Sequence, residues 1–257
     1  MTQPRGHSTA ADRVPQRRAK TVVTALLVLV ALAILLSLGT WQVQRLHWKE
    51  GLLADIAERR VAAPVPLADI ESMQATGEDV EYRRVSLTGT FDHAKERHFF
   101  ATFEGQTGFY VYTPMTLADG RILFVNRGFV PYDLKSPEKR SPGQVAGEQT
   151  LTGYARAPLY AKPSMIVPDN DTEKNIFYWK DLSAIASSAG VDQAKLVPLF
   201  VDADATVQNP GGWPRGGVTQ FDLPNSHLQY AVTWYGLAAA LLAVVVVAWF
   251  KRNRQTS

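Results

Sequence analysis

Two long uncharged stretches near the ends of the chain constrain its fold more than any other feature. Residues 228–250 contain no charged side chain. At ~1.5 Å rise per residue, a helix of that length outreaches the roughly 30 Å hydrocarbon core of a bilayer. Residues 21–40, with no charge until Arg45, include twelve Leu, Ile or Val. Each of these favours insertion by about 0.3 to 0.6 kcal/mol, so both stretches read as transmembrane helices. The first exceeds the roughly 7 to 15 apolar residues of a secretory signal core, and no Ala-x-Ala site follows it, which makes it an uncleaved anchor.

Orientation follows from the flanks. Arg13, Arg17, Arg18 and Lys20 precede the first span, and Lys251, Arg252 and Arg254 follow the second. Basic residues stay on the cytoplasmic side. The expected organisation is a basic tail (1–20), a span (21–44), an external β-rich domain with membrane-proximal connectors (45–226), a second span (227–250) and a basic tail (251–257). Such a protein is multi-pass in a bacterial inner (plasma) membrane with both termini cytoplasmic, or in the mitochondrial inner membrane of a eukaryote.

The net charge of +3 and pI near 9.1 reside in those flanks, and no basic run interleaved with aromatics points to nucleic acid. With no cysteine the chain has no disulfide, no thiolate nucleophile and no Cys-based zinc or copper site. Four scattered Met do not replace those ligands. Gly-x-Ser-x-Gly, His-Glu-x-x-His, P-loop and Rossmann patterns are all missing, so the chain is read as a non-enzyme.

Between the spans, β-rich runs at 82–88, 97–103, 108–115, 121–130, 149–156 and 196–202 are separated by turn residues. Consecutive apolar residues in Phe109-Tyr-Val-Tyr112 and Ile122-Leu-Phe-Val125 imply burial on both faces, as a curved or barrel-like antiparallel sheet provides. Ala118-Asp-Gly120 suits a tight hairpin. Residues 59–79 read as a connector with at most a short helix. Asp181 caps a short helix that Gly190 ends. The fold class is a membrane protein in which two terminal transmembrane α-helices flank one external α+β domain.

Several side chains could carry chemistry. His227 opens the second span, where an imidazole either caps and hydrogen-bonds or ligates a metal. Trp41, Arg45 and Trp48 share a helical face, which is either an interfacial aromatic belt with a snorkelling Arg or a site for an anionic group. With helices side by side, His227, Gln42 or Arg45, and Trp41 or Trp234 would line one pocket, and Tyr230 or Ala231 would share the face of His227 and Trp234. A haem would use such a set, with His as axial ligand and Arg at the propionates. Arg127, in Val125-Asn-Arg-Gly-Phe-Val-Pro131, either pairs with a carboxylate at a strand end beside a Gly128 bulge or contacts a partner or a cofactor's acid groups. His93 and His98 lack a third metal ligand and read as solvent-exposed turn residues.

Four motifs in order carry a resemblance: Trp41-Gln-x-x-Arg45 with Trp48-Lys49, Tyr82-Arg-Arg-Val85 with Gly89-Thr-Phe91, Val125-Asn-Arg-Gly128 with Val130-Pro131, and Pro224-Asn-x-His-Leu-Gln-Tyr-Ala-x-Thr-Trp234. Over residues 22–250 the chain resembles the surfeit locus protein 1 family, assembly factors of cytochrome c oxidase. It departs from the family pattern at Phe129, where Trp is usual, and in the 212–217 loop. The resemblance implies haem a delivery or insertion into the largest oxidase subunit, with haem a held transiently at the outer membrane boundary. His227 would ligate the iron, and Trp41, Gln42, Arg45, Arg127, Tyr230 and Trp234 would surround the cofactor. It further implies the largest oxidase subunit, the haem a biosynthesis machinery and membrane lipid as partners. Two alternatives stay open: a cofactor-free membrane scaffold for the nascent oxidase subunit, and an enzyme acting on haem, for which the chain offers no nucleophile or metal triad.

Overall fold

The computed structural model describes residues 13–254, with side chains from residue 19 onward. Residues 1–12 and 255–257 of the expected basic tails lie outside them. Contacts divide the chain into a helical unit, Met1–Ala54 with Leu223–Ser257, and a β unit, Asp55–Asp222.

The helical unit is built from most of α1 (Arg13–Val61) and from α4 (His227–Arg254). Over Ala19–Val61 and His227–Arg254 both are long and apolar enough to cross a membrane, and only 6% and 11% of their apolar windows are buried by protein. Side chains such as Leu26, Leu27, Leu29 and Val244 remain largely exposed. That pattern is consistent with lipid as the solvent for these helices. The helix α1 continues to Val61, through part of the expected connector. Residues 45–61 contain good helix formers, Ile56 is buried at 3% exposure, and Arg59 and Arg60 favour the negative end of the helix dipole. Pro64 lies just beyond and cannot continue it.

In the β unit, β1 (Val65–Pro66) and α2 (Leu67–Ala75) precede β2 (Arg84–Phe91), β3 (Arg97–Phe103), β4 (Gln106–Leu117), β5 (Ile122–Pro131), β6 (Glu148–Arg156), α3 (Leu182–Ser188) and β7 (Leu196–Ala203). Hydrogen-bonded neighbours run β2-β6-β7-β5-β4, and β4 returns to β2 through Gly89–Leu117, Thr90–Thr116 and Phe91–Met115. Five strands thus close into a barrel, which bears out the curved, barrel-like sheet. Beyond the closed ring, β3 extends the sheet from β4 and β1 pairs with β2. The pairing departs from pure antiparallel at β5–β7 and β1–β2. After β6 the chain crosses through α3, and β7 enters between β6 and β5, so it opposes one and parallels the other.

Closure explains the broken alternation. Val85, Leu87, Met115, Leu123, Val125, Leu151, Leu199 and Val201, from all five barrel strands, form one cluster, which Leu67 and Ile70 of α2 join. The opposite faces of β4, β5 and β7 present Tyr112, Phe124 and Phe200 to Leu182, Ile185 and Ala186 of α3. These strands are buried on both sides, as their continuous apolar runs require. Locally the signals hold as well. Gly120 sits at φ +80° in the β4–β5 hairpin, and the Asp181 side chain accepts a 3.0 Å hydrogen bond from the Ala184 N–H at the start of α3.

Candidate functional site on the paired apolar helices

The start of α4 is built by local chemistry. Asn225 Oδ1 accepts from the His227 N–H at 3.4 Å, covering one of the donors that a helix N-terminus leaves without a partner. From His227 the helix then turns Ala231 and Ala238, each 2% exposed, against α1. On α1 the facing residues are small or polar. Gly39 is buried under Tyr235, whose ring a Cβ at position 39 would meet at 2.8 Å. Thr40 Oγ1 lies 3.1 Å from Tyr235 Oη, and Gln42 is 9% exposed. Small residues allowing close backbone approach, with polar groups bonding across, are what joins helices in an apolar solvent.

One turn beyond Gly39, His227 Nδ1 lies 2.7 Å from Gln42 Oε1. An amide oxygen only accepts, so Nδ1 carries the proton and donates. In the tautomer that this bond selects the lone pair lies on Nε2, which makes no hydrogen bond among the described residues. A second group that orients a histidine and sets its tautomer in this way is the usual support of a metal-ligating imidazole.

Of the expected neighbours, Gln42 rather than Arg45 meets His227. Arg45 places its guanidinium 3.7 Å from the ring centroid of Trp48, one turn along α1. Trp41 is 54% and Tyr230 53% exposed, and Trp234 is partly exposed. Ala231, not Tyr230, takes the position against α1. These aromatics lie on the helix surfaces rather than in the protein interior. Sequence reading missed Gly39, Thr40 and Tyr235, although a glycine at the end of a Leu-rich run is a visible sign of helix packing.

Arg127 is placed differently from expectation. It stands inside β5, 1% exposed, at a bulge where the register against β4 shifts between Tyr110 and Tyr112. Its guanidinium meets no carboxylate directly. Nη1 lies 3.1 Å from His93 Nδ1, and Nη2 donates to Asn209 Oδ1 at 2.6 Å and to the Gly143 carbonyl. Burial pulls its pKa down to about 10, which leaves it a cation at neutral pH. With these donors occupied, Arg127 cross-links the barrel wall to three connecting segments, after β2, after β5 and after β7, and offers no open face to a propionate. Beside it, Asn126 donates to Asp202 Oδ1 at 2.9 Å, and its own Oδ1 accepts from the Gly128 N–H at 3.1 Å.

The two histidines read as exposed are not. His98 is 4% exposed and joins Glu96, 3% exposed, and Arg140, 3% exposed, in a buried cluster. His98 Nε2 lies 3.0 Å from Glu96 Oε1, and both carboxylate oxygens are bonded by Arg140. His93 is half-buried, with Nε2 bonded to the Val145 carbonyl at 2.8 Å. The carbonyl requires Nε2–H, which leaves Nδ1 to accept from Arg127.

Burial first, and the Arg127 charge after it, hold the His93 pKa below its usual value, and burial does the same to His98 despite Glu96. A folded-state pKa depressed below the unfolded one means the unfolded chain binds the proton more tightly. The stability these neutral histidines contribute is therefore complete above the ordinary histidine pKa of about 6.5 and is lost as pH falls below it. Thermal unfolding of the detergent-solubilised chain is expected to come earlier at pH 5.5 than at pH 7.5. His93→Gln, which can still donate to Val145 and accept from Arg127, should flatten that dependence; an unchanged slope in the variant would contradict the assignment.

Comparison with known proteins matches residues 29–239 to a family model described as the SURF1 family. Surfeit locus protein 1 of Rattus norvegicus is 41% identical over 232 residues, covering 84% of this chain and 71% of the relative. The chain belongs to the SURF1 family. The Homo sapiens surfeit locus protein 1 is also 41% identical, over 84% of this chain and 72% of its own length. A SURF1-like protein of Drosophila melanogaster is 34% identical over 79% and 70%. The SURF1 match runs from within α1 into α4, so it takes in the barrel and part of each apolar helix, with Gln42 and His227 inside it.

Proposed function

We propose that this protein is a cytochrome c oxidase assembly factor that holds haem a for delivery to the largest oxidase subunit, at the boundary of an inner membrane. The observation that carries the haem reading is the 2.7 Å bond between His227 Nδ1 and Gln42 Oε1, which leaves Nε2 free for iron. Trp41, Tyr230 and Trp234 supply aromatic surface for a porphyrin, and Arg45 supplies a cation for its acid groups. Bound haem a would be cargo, contributing the iron that Nε2 ligates. The chain's own work is to orient the imidazole, shield one porphyrin face and neutralise the propionates. No bond of the cargo is broken, in keeping with a non-enzymatic role. The haem a biosynthesis machinery is the donor in this reading, and the oxidase subunit the acceptor.

A strain deleted for this chain tests the assembly role. Its oxidase should lose most of its haem a absorbance, and plasmid-borne wild type should restore it where His227→Ala does so poorly. Full haem a content with slow assembly in the deletion strain would favour the cofactor-free scaffold, and an unaffected oxidase would refute both.

A further inference from the structure

Arg127 is a buried cation without a counter-charge in contact. It is 1% exposed, and the groups bonded to it, His93 Nδ1, the Gly143 carbonyl and Asn209 Oδ1, are all neutral acceptors. They satisfy hydrogen bonds but leave the charge. A charge taken out of water is costly unless one of opposite sign stands against it. The carboxylate that acts on Arg127 from a distance is Glu96, which Arg140 and His98 already engage. Two buried guanidiniums thus face one buried carboxylate, while burial keeps His93 and His98 from charging. This part of the interior carries one positive charge in excess. Elsewhere in the β unit the buried charges are matched, Asp202 by Arg156 at 3.2 Å and Asp204 by Arg84 at 3.1 Å.

Beside Arg127 the barrel wall borders a cavity of about 50 Å³. Phe91, Gln149, Thr150, Gln208 and Asn209 line it together with the arginine, and none of the lining residues is acidic. A guanidinium has five N–H donors. Three are taken by the bonds above, and Nε–H and the second Nη1 N–H have no partner among the described residues. Thr150 and Gln208 are exposed, so the cavity reaches solvent on their side. One water needs roughly 10–15 Å³. The space therefore suits a monatomic ion with one or two waters and is too narrow for a propionate carried on a porphyrin.

We propose that this cavity binds one small monovalent anion of the halide class, chloride in ordinary media, against Arg127 and the amide and hydroxyl donors of Gln149, Gln208 and Thr150. The single excess charge calls for a monovalent ion, and a divalent one would reverse the imbalance. Bound there, the anion supplies the counter-charge and steadies the arginine that joins the segments after β2, β5 and β7. Water alone is the competing occupant, and it would leave the charge uncompensated.

The full-length protein in a non-ionic detergent, exchanged into sodium gluconate, would be titrated with sodium chloride at constant ionic strength. Gluconate is too large for the cavity. An anion that binds only the folded chain raises the melting temperature with the logarithm of its concentration, by about 3–5 °C per tenfold chloride once the site is filled. Bromide should act in the same way. Gln208 is exposed and its side chain makes no hydrogen bond among the described residues, so Gln208→Glu sets a carboxylate at the cavity without breaking a bond. That variant should melt at the same temperature in both salts. Equal chloride responses in wild type and Gln208→Glu would mark a bulk salt effect and overturn the proposal in favour of water. The chloride-35 resonance gives a readout independent of stability. Wild type should broaden it more than Gln208→Glu does, and equal broadening by the two would overturn the proposal as well.

Discussion

Replacing Gly128 with valine is expected to destabilise the β unit by more than about 4 kcal/mol, at the far end of what single substitutions do. Gly128 has φ +127°, a backbone conformation nearly closed to other residues. A Cβ there would stand 2.0 Å from the Arg215 carbonyl oxygen and 2.7 Å from the Gly216 nitrogen. Those are main-chain atoms that cannot swing aside. They are held by a reciprocal pair of bonds, from Phe129 N–H to the Arg215 carbonyl at 2.9 Å and from Arg215 N–H to the Phe129 carbonyl at 2.8 Å. Moving the loop away would break both and pull Asn209 from Arg127. Domains of this kind are stable by about 5–15 kcal/mol, so the variant should accumulate poorly or melt at ordinary growth temperature. Gly190→Ala provides the contrast, because that glycine has φ +61° but nothing within 4 Å of its added Cβ. It should cost about 1 kcal/mol, the strain of the backbone alone. Equal losses in urea unfolding would mean that the close approach of the 209–217 loop contributes nothing.

Arg140→Met is expected to cost about 3–5 kcal/mol, because it leaves the Glu96 carboxylate charged in the interior. Side-chain exposure is 3% for Glu96 and 1% for Arg140. Arg140 also donates to the Leu134 and Lys135 carbonyls at 3.0 and 3.1 Å, so its loss strips partners from a loop as well. Burial works to raise the Glu96 pKa, but His98 and Arg140 more than offset it and hold the carboxyl below its ordinary value. Its stabilising contribution is then present above the ordinary carboxylate range and lost as pH falls through the lowered folded-state pKa. Without Arg140 burial prevails, and acid unfolding should begin at a higher pH. The double variant Glu96→Leu/Arg140→Met should recover much of the loss, because an apolar pair removes the uncompensated charge. A double variant no more stable than Arg140→Met would contradict this account.

How far the fold could be read from the residues depended on whether its cause was local. Strands β2 to β7 were legible as β-rich runs between turn residues, and barrel closure was legible from runs such as 122–125 that suit burial on both faces. The caps at Asp181 and Gly190 are local chemistry. The parallel β5–β7 pairing was not legible, since it depends on where β7 enters a sheet formed by distant segments. Two residues of β1 are too few to show a period, and α2 has a weak apolar stripe whose partner, the barrel interior, is visible only once the sheet closes.

The same distinction runs through the site. His227 stood out as an imidazole at the start of an apolar run, and Gln42 as a polar residue at the end of another, but their bond spans 185 positions. The Glu96–His98–Arg140 cluster escaped notice because Arg140 lies more than forty positions away. Its one local sign is that Glu96 and His98 alternate along an extended segment and so share a face. Arg127 misled for a related reason. A cation next to a glycine bulge has the same local pattern whether it meets a ligand or, as here, three loops of its own domain.

The absorption spectrum of the purified full-length protein, made in cells that synthesise haem a, tests the haem-holding role most directly. Wild type is predicted to show a Soret band, and His227→Ala to lose most of it. Gln42→Leu should keep the ligand but weaken its hold by about 10- to 100-fold, as removal of an orienting partner commonly does. Wild-type protein without a Soret band under those conditions, or a His227→Ala variant whose band is undiminished, would contradict it.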